Sequence, residues 1–191
     1  MATKNKVENV TFGKPKVGGA IFTAPLGTQI PTDASSELDQ AFKNLGYISE
    51  DGVANSMDME VNKIKAWGGD TVATSNNGRS DTFNYTLIEA LNVSVLKEVY
   101  GEENVIGDLE TGLTIKSNSN PMNPHIIVIE QIWNGGILSR IVIPVGQVSS
   151  VEEVTYKDNE VVGYGITLEA LPDGEGNTHY DYKVKKADAT A

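Results

Sequence analysis

Two histidines, His125 and His179, are the residues of this sequence best suited to acid–base catalysis or metal binding. They lie far apart in sequence, and neither has a second histidine at the HxH or HxxxH spacing that brings two imidazoles to one metal ion. Cysteine is absent, which excludes disulfides, thiolate nucleophiles and cysteine-ligated zinc or iron–sulfur sites. We therefore interpret His125 as the start of a strand and His179 as part of a solvated strand face, and we predict no metal site.

The glycine-rich and acidic stretches complete no motif with a known chemistry. Residues 173–177 read Asp-Gly-Glu-Gly-Asn, as in a calcium loop, but Thr178 and Val184 stand where that loop needs glycine and glutamate. Gly163 and Gly165 lack the third glycine of a dinucleotide-binding loop, and the phosphate-loop, HExxH and GxSxG motifs are missing. Adjacent acidic residues are frequent, and we interpret them as solvated surface. The sequence therefore predicts no enzyme and no cofactor.

Composition indicates one domain with an acidic surface. The chain has 191 residues, of which 15 are basic and 26 acidic, giving a formal net charge of −11. This balance disfavours nucleic-acid binding, because neutralising phosphates requires a basic surface. We expect no membrane span and no signal peptide, since long apolar runs are missing. Residues 1–18 carry four lysines against one glutamate and predict a basic N-terminal arm, whereas the polar stretch 186–191 predicts a frayed C-terminus.

Most of the remaining sequence alternates between apolar and polar residues with the period of a β-strand. The alternation is clearest at 82–87, 162–170 and 180–184. Strands of this kind place one face on a core and the other in water, as antiparallel sheets do. The sequence therefore predicts a mainly β fold.

Two neighbouring segments are apolar on both faces. Residues 125–133 and 137–145 flank the turn signal Asn134-Gly135-Gly136, which predicts a long central hairpin. A hairpin with two apolar faces is either enclosed within its own fold or partly covered by another subunit. Because the chain has few core residues, we give weight to cover by another subunit.

Residues 50–80 predict a long excursion from the fold. The apolar alternation changes phase between Met57 and Trp67, which places a bulge near Asn62–Lys63. Beyond it, residues 68–70 and 74–80 are rich in loop-forming types. We therefore expect two strand arms with a flexible tip between them. The large side chains of this segment serve either core packing or a subunit contact, and the position of Trp67 near the tip favours contact.

Helical spacing occurs twice. Leu38, Ala41, Phe42 and Leu45 recur at helical intervals behind the candidate N-caps Ser35–Ser36. The pattern at 93–100, between Asn92 and Gly101, is the more convincing of the two. We expect this second helix to cover a sheet face.

Two stretches in this order resemble the major tail proteins, or tail tube proteins, of long-tailed bacteriophages. The first runs from Gly18-Gly19-Ala20-Ile21-Phe22-Thr23-Ala24-Pro25-Leu26-Gly27-Thr28 to Leu45-Gly46-Tyr47-Ile48-Ser49-Glu50-Asp51-Gly52-Val53. The second is the strand-then-helix stretch from Phe83 to Gly101. The resemblance covers residues 18–110 well and the C-terminal half by architecture only.

The resemblance implies a fold and a structural role. The fold is a β-sandwich or partial barrel of the phage tail tube type, with one flanking α-helix, a long loop and an N-terminal arm. It implies a single domain at 19–185 whose excursion at 50–80 reaches neighbouring subunits. It further implies hexameric rings that stack into a tube, through which double-stranded DNA passes during ejection into the host.

Location and partners follow from the same resemblance. The protein is expected in the virion tail, and in the host cytoplasm during assembly. Expected partners are copies of itself, the tape measure, tail terminator and baseplate proteins, and DNA in transient, non-specific passage. No membrane contact and no active site are expected.

Particular residues are assigned to these roles as hypotheses. The subunit interface is expected to include large or apolar side chains of the excursion and the central hairpin, namely Met57, Met59, Trp67, Arg79, Ile127, Ile129, Trp133, Ile141 and Ile143. The channel wall is expected to include acidic residues of the 148–160 region, namely Glu152, Glu153, Asp158 and Glu160. An acidic wall would let phosphate pass without binding it.

Two alternatives remain open. A monomeric β-sandwich binding module, of a carbohydrate-binding or adhesion type, would carry a row of exposed aromatic residues on one sheet face. Aromatic residues make up only 7% of the chain and form no such row in the sequence. A small β-rich hydrolase would use a carboxylate pair in a cleft, and no spacing of acidic residues supports one.

Overall fold

The protein is described by a computed structural model over residues 4–185, with the backbone alone at residue 77. The expected frayed C-terminus at 186–191 lies outside the described residues. The described part contains eleven strands, one α-helix and two short 3-10 turns. In chain order they are a 3-10 turn at Val7–Asn9, β1 (Gly13–Pro15), β2 (Ile21–Pro25), β3 (Lys43–Asn44), β4 (Ile48–Lys65), β5 (Thr71–Leu87), α1 (Val93–Tyr100), a 3-10 turn at Glu102–Asn104, β6 (Val105–Asp108), β7 (Gly112–Ile115), β8 (His125–Trp133), β9 (Ile137–Val151), β10 (Tyr164–Ala170) and β11 (Tyr180–Lys185).

The strands form one large antiparallel sheet and one small hairpin. The large sheet has the order β3-β2-β8-β9-β10-β5-β4, with β1 added to β8 and β11 added to β9, while β6 and β7 pair with each other. This architecture confirms the predicted mainly β fold and fits a β-sandwich with one α-helix. Strand β1 lies within the predicted N-terminal arm, so residues 13–15 of that arm are paired to the sheet.

The central hairpin, β8 and β9, links the two halves of the sheet. The first half of β9 pairs with β11 on the side away from β8, and its second half, from Gly146 to Val151, pairs with β10. Strand β8 is likewise shared, with β2 along most of its length and β1 at its end. Because β1, β2, β10 and β11 each pair with one of these two strands, the hairpin is called the spine of the fold.

Both faces of this hairpin are buried by the chain itself. Ile127, Ile129 and Ile143 belong to the larger core cluster, which includes Phe83, Leu168 and the inner face of α1. On the opposite face, a smaller cluster is formed by Ala24, Phe42, Ile126, Val128 and Val142. The expectation that another subunit covers this hairpin was therefore wrong. The missing cover comes from α1 on one face and from the 30–42 segment on the other.

Helix α1 confirms the stronger of the two helix predictions. The side chain of Asn92 accepts the backbone N–H of Ser94 at 2.9 Å, which caps the first turn. The helix ends at Gly101, whose φ of 91° lies in the region that favours glycine. Val95, Leu96 and Val99 are buried against the sheet, so the helix is positioned by its apolar face.

The helix predicted at 38–45 is wrong. Lys43 and Asn44 form β3, which pairs with β2, while Phe42 and Leu45 are buried as the pattern required. Ser35 and Ser36 do not cap a helix, because their N–H groups both donate to the side chain of Asp33, at 2.6 Å each. Local turns and pairing with the sheet therefore override the helical spacing.

The excursion at 50–80 is a long, nearly continuous hairpin made by β4 and β5. Residues 74–80, predicted as loop, belong to β5, and the turn is confined to the five residues from Ala66 to Asp70. Register shifts lie between Glu60 and Val61 and between Ile64 and Lys65, on either side of the predicted bulge. The change of apolar phase therefore located the irregularity to within two residues, whereas glycine and serine content misled the loop prediction.

Candidate assembly surface

The distal part of the β4–β5 hairpin, residues 54–80, projects from the rest of the molecule. It is called the arm, as distinct from the N-terminal arm at 1–18, and the rest of the described chain is called the body. Residues 54–76 are all exposed. The arm contains eleven residues of β4 beyond Ala54, which at about 3.3 Å per residue corresponds to a reach of about 35 Å. Nothing within the described residues covers this length of sheet, so the arm presents both its faces to solvent.

One face of the arm carries an apolar stripe. Met57, Met59 and Val61 lie at alternate positions and are 54%, 68% and 49% exposed. Met57 and Met59 pair across the ladder with Asp81 and Arg79, so these four side chains share one face. The guanidinium of Arg79 donates to the Sδ atom of Met57 at 2.7 Å. The stripe therefore combines flexible apolar side chains with a cation, a composition enriched at protein interfaces.

The tip of the arm presents Trp67. The N–H of Ala66 donates to the carbonyl of Asp70 at 2.8 Å, and that of Gly69 to the carbonyl of Ala66 at 3.0 Å, which closes a tight turn. The φ values of Gly68 and Gly69 are 113° and 100°, a conformation that favours glycine. The Trp67 side chain is fully exposed at this turn. A tryptophan at the end of a projecting hairpin is expected to gain much free energy from burial in a partner.

The charge of the arm differs from that of the whole chain. Within 54–80 the acidic residues Asp58, Glu60 and Asp70 balance the basic residues Lys63, Lys65 and Arg79, whereas the whole chain carries −11. A neutral arm approaches an acidic neighbour without the like-charge repulsion that two bodies experience. The arm is therefore the part of this surface best suited to contact a second copy.

A buried carboxylate fixes the root of the arm. Asp81, almost fully buried, accepts hydrogen bonds from Asn55 Nδ2 at 2.8 Å and from Thr178 Oγ1 at 2.5 Å. Its Oδ2 also lies 2.6 Å from Nδ1 of His179. Burial acts to raise the pKa of Asp81, but the bonds from Thr178, Asn55 and His179 outweigh it and hold the pKa below its ordinary value. The root is thus tied to the segment that leads into β11.

The interface residues predicted from sequence divide between arm and body. Met57, Met59, Trp67 and Arg79 lie on the arm and are exposed. Ile127, Ile129 and Ile143 are fully buried core residues of the body, and Ile141 is half-buried beside them. Trp133 is half-buried: its Nε1 donates to Gln131 Oε1 at 2.8 Å, and Lys183 Nζ lies 4.8 Å from its ring centre. Only the arm residues present free surface together.

The acidic residues predicted for the channel wall lie on the segment between β9 and β10. Glu152, Glu153, Asp158 and Glu160 are all exposed there. Glu160 pairs with Lys157 at 2.7 Å. The Glu152 backbone N–H donates to the carbonyl of Gly165 at 2.8 Å, which ties the start of the segment to β10. The segment therefore offers an exposed acidic surface on the body.

Sequence reasoning missed a buried ion-pair network in the spine. Arg140 is 1% exposed and contacts Glu130 through Nε and Nη2, while Lys16 Nζ bonds the other oxygen of Glu130 at 2.6 Å. Arg140 also donates to the carbonyl oxygens of Asp33 and Ser36, each at 2.7 Å. The signal was present, because Glu130 and Arg140 are charges inside otherwise apolar strands.

The body also contains a cleft beside α1 that sequence reasoning did not identify. Its volume is about 650 Å³, and it lies between α1, the end of β2 and the 120–125 segment. At its edge the buried Glu98 bonds His125 Nε2 at 2.9 Å, and the other ring nitrogen lies 3.0 Å from the Asn123 carbonyl. Burial opposes protonation of His125, but Glu98 outweighs it and raises its pKa above the ordinary value.

The histidine and acidic side chains of the described part do not form a shared metal site. Over residues 4–185, no group of three or more histidine, aspartate or glutamate side chains is placed to hold a metal ion. His125 and His179 each pair with a different carboxylate, Glu98 and Asp81, so they do not share a site. In the same range, the helix is too short to cross a membrane.

Comparison with known protein families finds a match over most of the chain. The profile of a family described as phage tail tube protein matches residues 15–191, which extends over the C-terminal half that the resemblance covered by architecture only. No curated protein matches the chain. A match over most of the chain, together with the mainly β fold and one α-helix, shows that this chain belongs to the phage tail tube protein family, a structural component of the phage tail.

Proposed function

We propose that the chain assembles into hexameric rings that stack into the tail tube, a conduit for double-stranded DNA during ejection into the host. The observation that carries this proposal is the arm: a long hairpin with Met57, Met59 and Trp67 exposed and no cover from its own body. A two-stranded hairpin is marginally stable alone. Contact with neighbouring subunits would bury the stripe and stabilise the arm.

Open sheet edges support ring formation. Strand β4 pairs only with β5 within the described residues, so its outer edge is open along Ile48–Lys65. Strand β11 likewise pairs only with β9. Exposed edges are templates for pairing with another chain, and a closed ring removes them in a controlled way.

The dimensions are compatible with a DNA conduit. If each of six subunits contributes four strands, about 24 strands spaced about 4.8 Å and tilted about 40° give a barrel about 48 Å across between backbones. Side chains of about 5 Å on each wall leave about 38 Å, which admits a B-form duplex.

The charge supports a wall that does not hold DNA. We assign the exposed residues Glu152, Glu153, Asp158 and Glu160 to the channel, where they repel phosphate. A wall of lysines would instead bind DNA by releasing counterions. We assign no cofactor to the protein. It assembles in the host cytoplasm and joins the tape measure, tail terminator and baseplate proteins.

The division of the chain follows the same scheme. We assign residues 19–185 to the tube domain and residues 1–18 to the N-terminal arm. Because residues 13–15 pair with β8 of the same chain, the part of the arm before β1 is the part that would reach a neighbouring subunit. The basic residues of that part would meet the acidic surface of the next ring.

Electron microscopy of the purified chain over a range of concentrations and salt tests this function. We expect rings or tubes with a central channel, and sedimentation at low concentration should show the monomer in exchange with them. A strict monomer at every concentration and salt would contradict assembly. Glycan binding by that monomer would favour the alternative, a β-sandwich binding module.

A further inference from the structure

The cleft beside α1 has the form of a receptor for a protruding side chain. Pro25, Leu26, Val93, Met122 and Pro124 contribute to its lining. Its volume of about 650 Å³ lies within the range of sites that bind small molecules. A wall with three prolines and Met122 is suited to an aromatic ring, because thioether sulfur makes favourable contacts with aromatic edges.

The tip of the arm has complementary chemistry. Trp67 is fully exposed, with Lys65 on one side of it and Asp70 on the other. Neither Lys65 nor Asp70 forms an ion pair within residues 4–185. The tip therefore offers one large apolar group between a free cation and a free anion.

The cleft carries the two matching charges. Glu103 and Lys43 both line it, and neither has an ion-pair partner in the described part of the chain. The remaining charges are already paired, Glu98 with His125 and Glu102 with Lys97. A docked tip would place Lys65 toward Glu103 and Asp70 toward Lys43, with the indole between them.

We propose that the arm tip of one copy docks in the α1 cleft of a second copy, with the Trp67 ring inside the cleft. This rests on the proposed assembly and names the surface that receives the arm. The cleft of the same copy is not the receptor, because the arm extends about 35 Å from the body. A body of this size has a radius of gyration of only about 15 Å.

Cysteine cross-linking tests the docking directly, because the chain contains no cysteine. Two single variants, Ala66→Cys, which is exposed and keeps the Trp67 ring, and Leu26→Cys, are mixed under assembly conditions and oxidised. The matched control replaces Leu26→Cys by Leu109→Cys, which is similarly exposed (56% against 48%) and lies outside the cleft. We expect at least tenfold more disulfide-linked dimer from the tip–cleft pair than from the control pair.

The outcomes separate this docking from assembly itself. Tubes in the microscope with equal cross-linking in both mixtures would overturn the docking and leave the assembly intact. Cross-linking of Leu26→Cys to Phe12→Cys, in place of Ala66→Cys, would make the N-terminal arm the occupant and also overturn it. A strict monomer with no cross-link in either mixture would remove both proposals together.

Fluorescence gives a second readout without cysteines. Trp67 and Trp133 are the two tryptophans, so Trp133→Phe leaves Trp67 as the sole reporter. We expect its emission to move to shorter wavelength on assembly, and adding Lys65→Glu to reduce the assembled fraction. Combining Lys65→Glu with Glu103→Lys should restore it. Unshifted emission in assembled protein, or no rescue by the combined charge exchange, would contradict docking in this cleft.

Discussion

In the body, even the charged side chains of the central hairpin are buried and paired, whereas on the arm even the tryptophan stands in solvent. Arg140 makes hydrogen bonds to Glu130 and to two carbonyl oxygens, so its guanidinium is satisfied within one chain. Met59 and Trp67 have no such cover among the described residues. The contrast shows that the body is stabilised by its own contacts, whereas the apolar side chains of the arm are left uncovered, as the proposed assembly requires.

Shortening the arm should produce the largest effect on assembly and little effect on the body. Met57 and Asp81 are directly paired, so an Asn-Gly turn can join them in place of residues 58–80. We expect no tubes by electron microscopy, because the tip and all of the stripe except Met57 are removed. The thermal midpoint should stay within a few degrees of the parent, because no core residue is removed.

Two results would contradict that separation of roles. Long tubes formed by the shortened chain would show that the arm is dispensable for assembly. Loss of cooperative unfolding would show that the arm stabilises the body. The variant Trp67→Ala keeps the length of the hairpin and removes only the tip side chain. Comparison with it separates the effect of length from the effect of Trp67.

Substitution in the spine should produce the opposite pattern. Arg140→Ala leaves Glu130 buried without its main partner, which is expected to cost about 3–5 kcal/mol of unfolding free energy. Denaturant unfolding measures this loss. The exposed pair Lys157–Glu160 serves as the control, and Lys157→Ala should change the free energy by less than about 0.5 kcal/mol. Equal effects of the two substitutions would refute the assigned importance of the spine network.

The root of the arm should show an intermediate effect. Asp81→Ala removes the buried acceptor shared by Asn55, Thr178 and His179, at an expected cost of about 1–3 kcal/mol. Amide hydrogen exchange should rise first at the base of β4 and β5, because the lost bonds hold these strands to the 178–179 segment. Asp81→Asn, which keeps an acceptor oxygen, should lose less. Unchanged exchange in Asp81→Ala would show that the network does not hold the root.

The body was predicted from sequence better than the arm and the sites. The alternation of apolar and polar residues located the core strands, and the capping residues Asn92 and Gly101 located α1. Local pattern and tertiary packing agree there. At 38–45 they disagree, and pairing of Lys43–Asn44 with β2 prevails. Burial of Ile127 and Ile143 could not be read from apolarity, since apolar residues look alike whether their cover comes from the same chain or another.

The arm illustrates a different gap. The exposure of Trp67 followed from its position near the tip of the excursion. The strand at 74–80 did not follow from the sequence, because cross-strand pairing imposes extended structure on residues that favour loops. The Asp81 network and the α1 cleft join residues far apart in sequence. Sequence reasoning could flag the charges at 130 and 140, but not the distant partners of Asp81.

The smallest expected effect is the pH dependence of the unfolding free energy. It differs between two carboxylate–histidine pairs, one in the body and one at the root of the arm. Glu98 raises the pKa of His125, so the stabilisation it gives is complete below the ordinary histidine value of 6.5 and is lost as pH rises through the raised folded value. The pKa of Asp81 is lowered, so its stabilisation is complete above the ordinary value of 3.8 and is lost as pH falls through the lowered folded value.

Unfolding free energies measured from pH 6 upward therefore test the body pair. The difference between the parent chain and His125→Gln should shrink as pH rises, because glutamine keeps a hydrogen bond to Glu98 but cannot titrate. The difference between the parent chain and Asp81→Asn should shrink in acid, where Asp81 becomes protonated. A pH-independent difference for His125→Gln would mean that the imidazole stabilises the cleft edge as a neutral hydrogen-bonding group, without a charge.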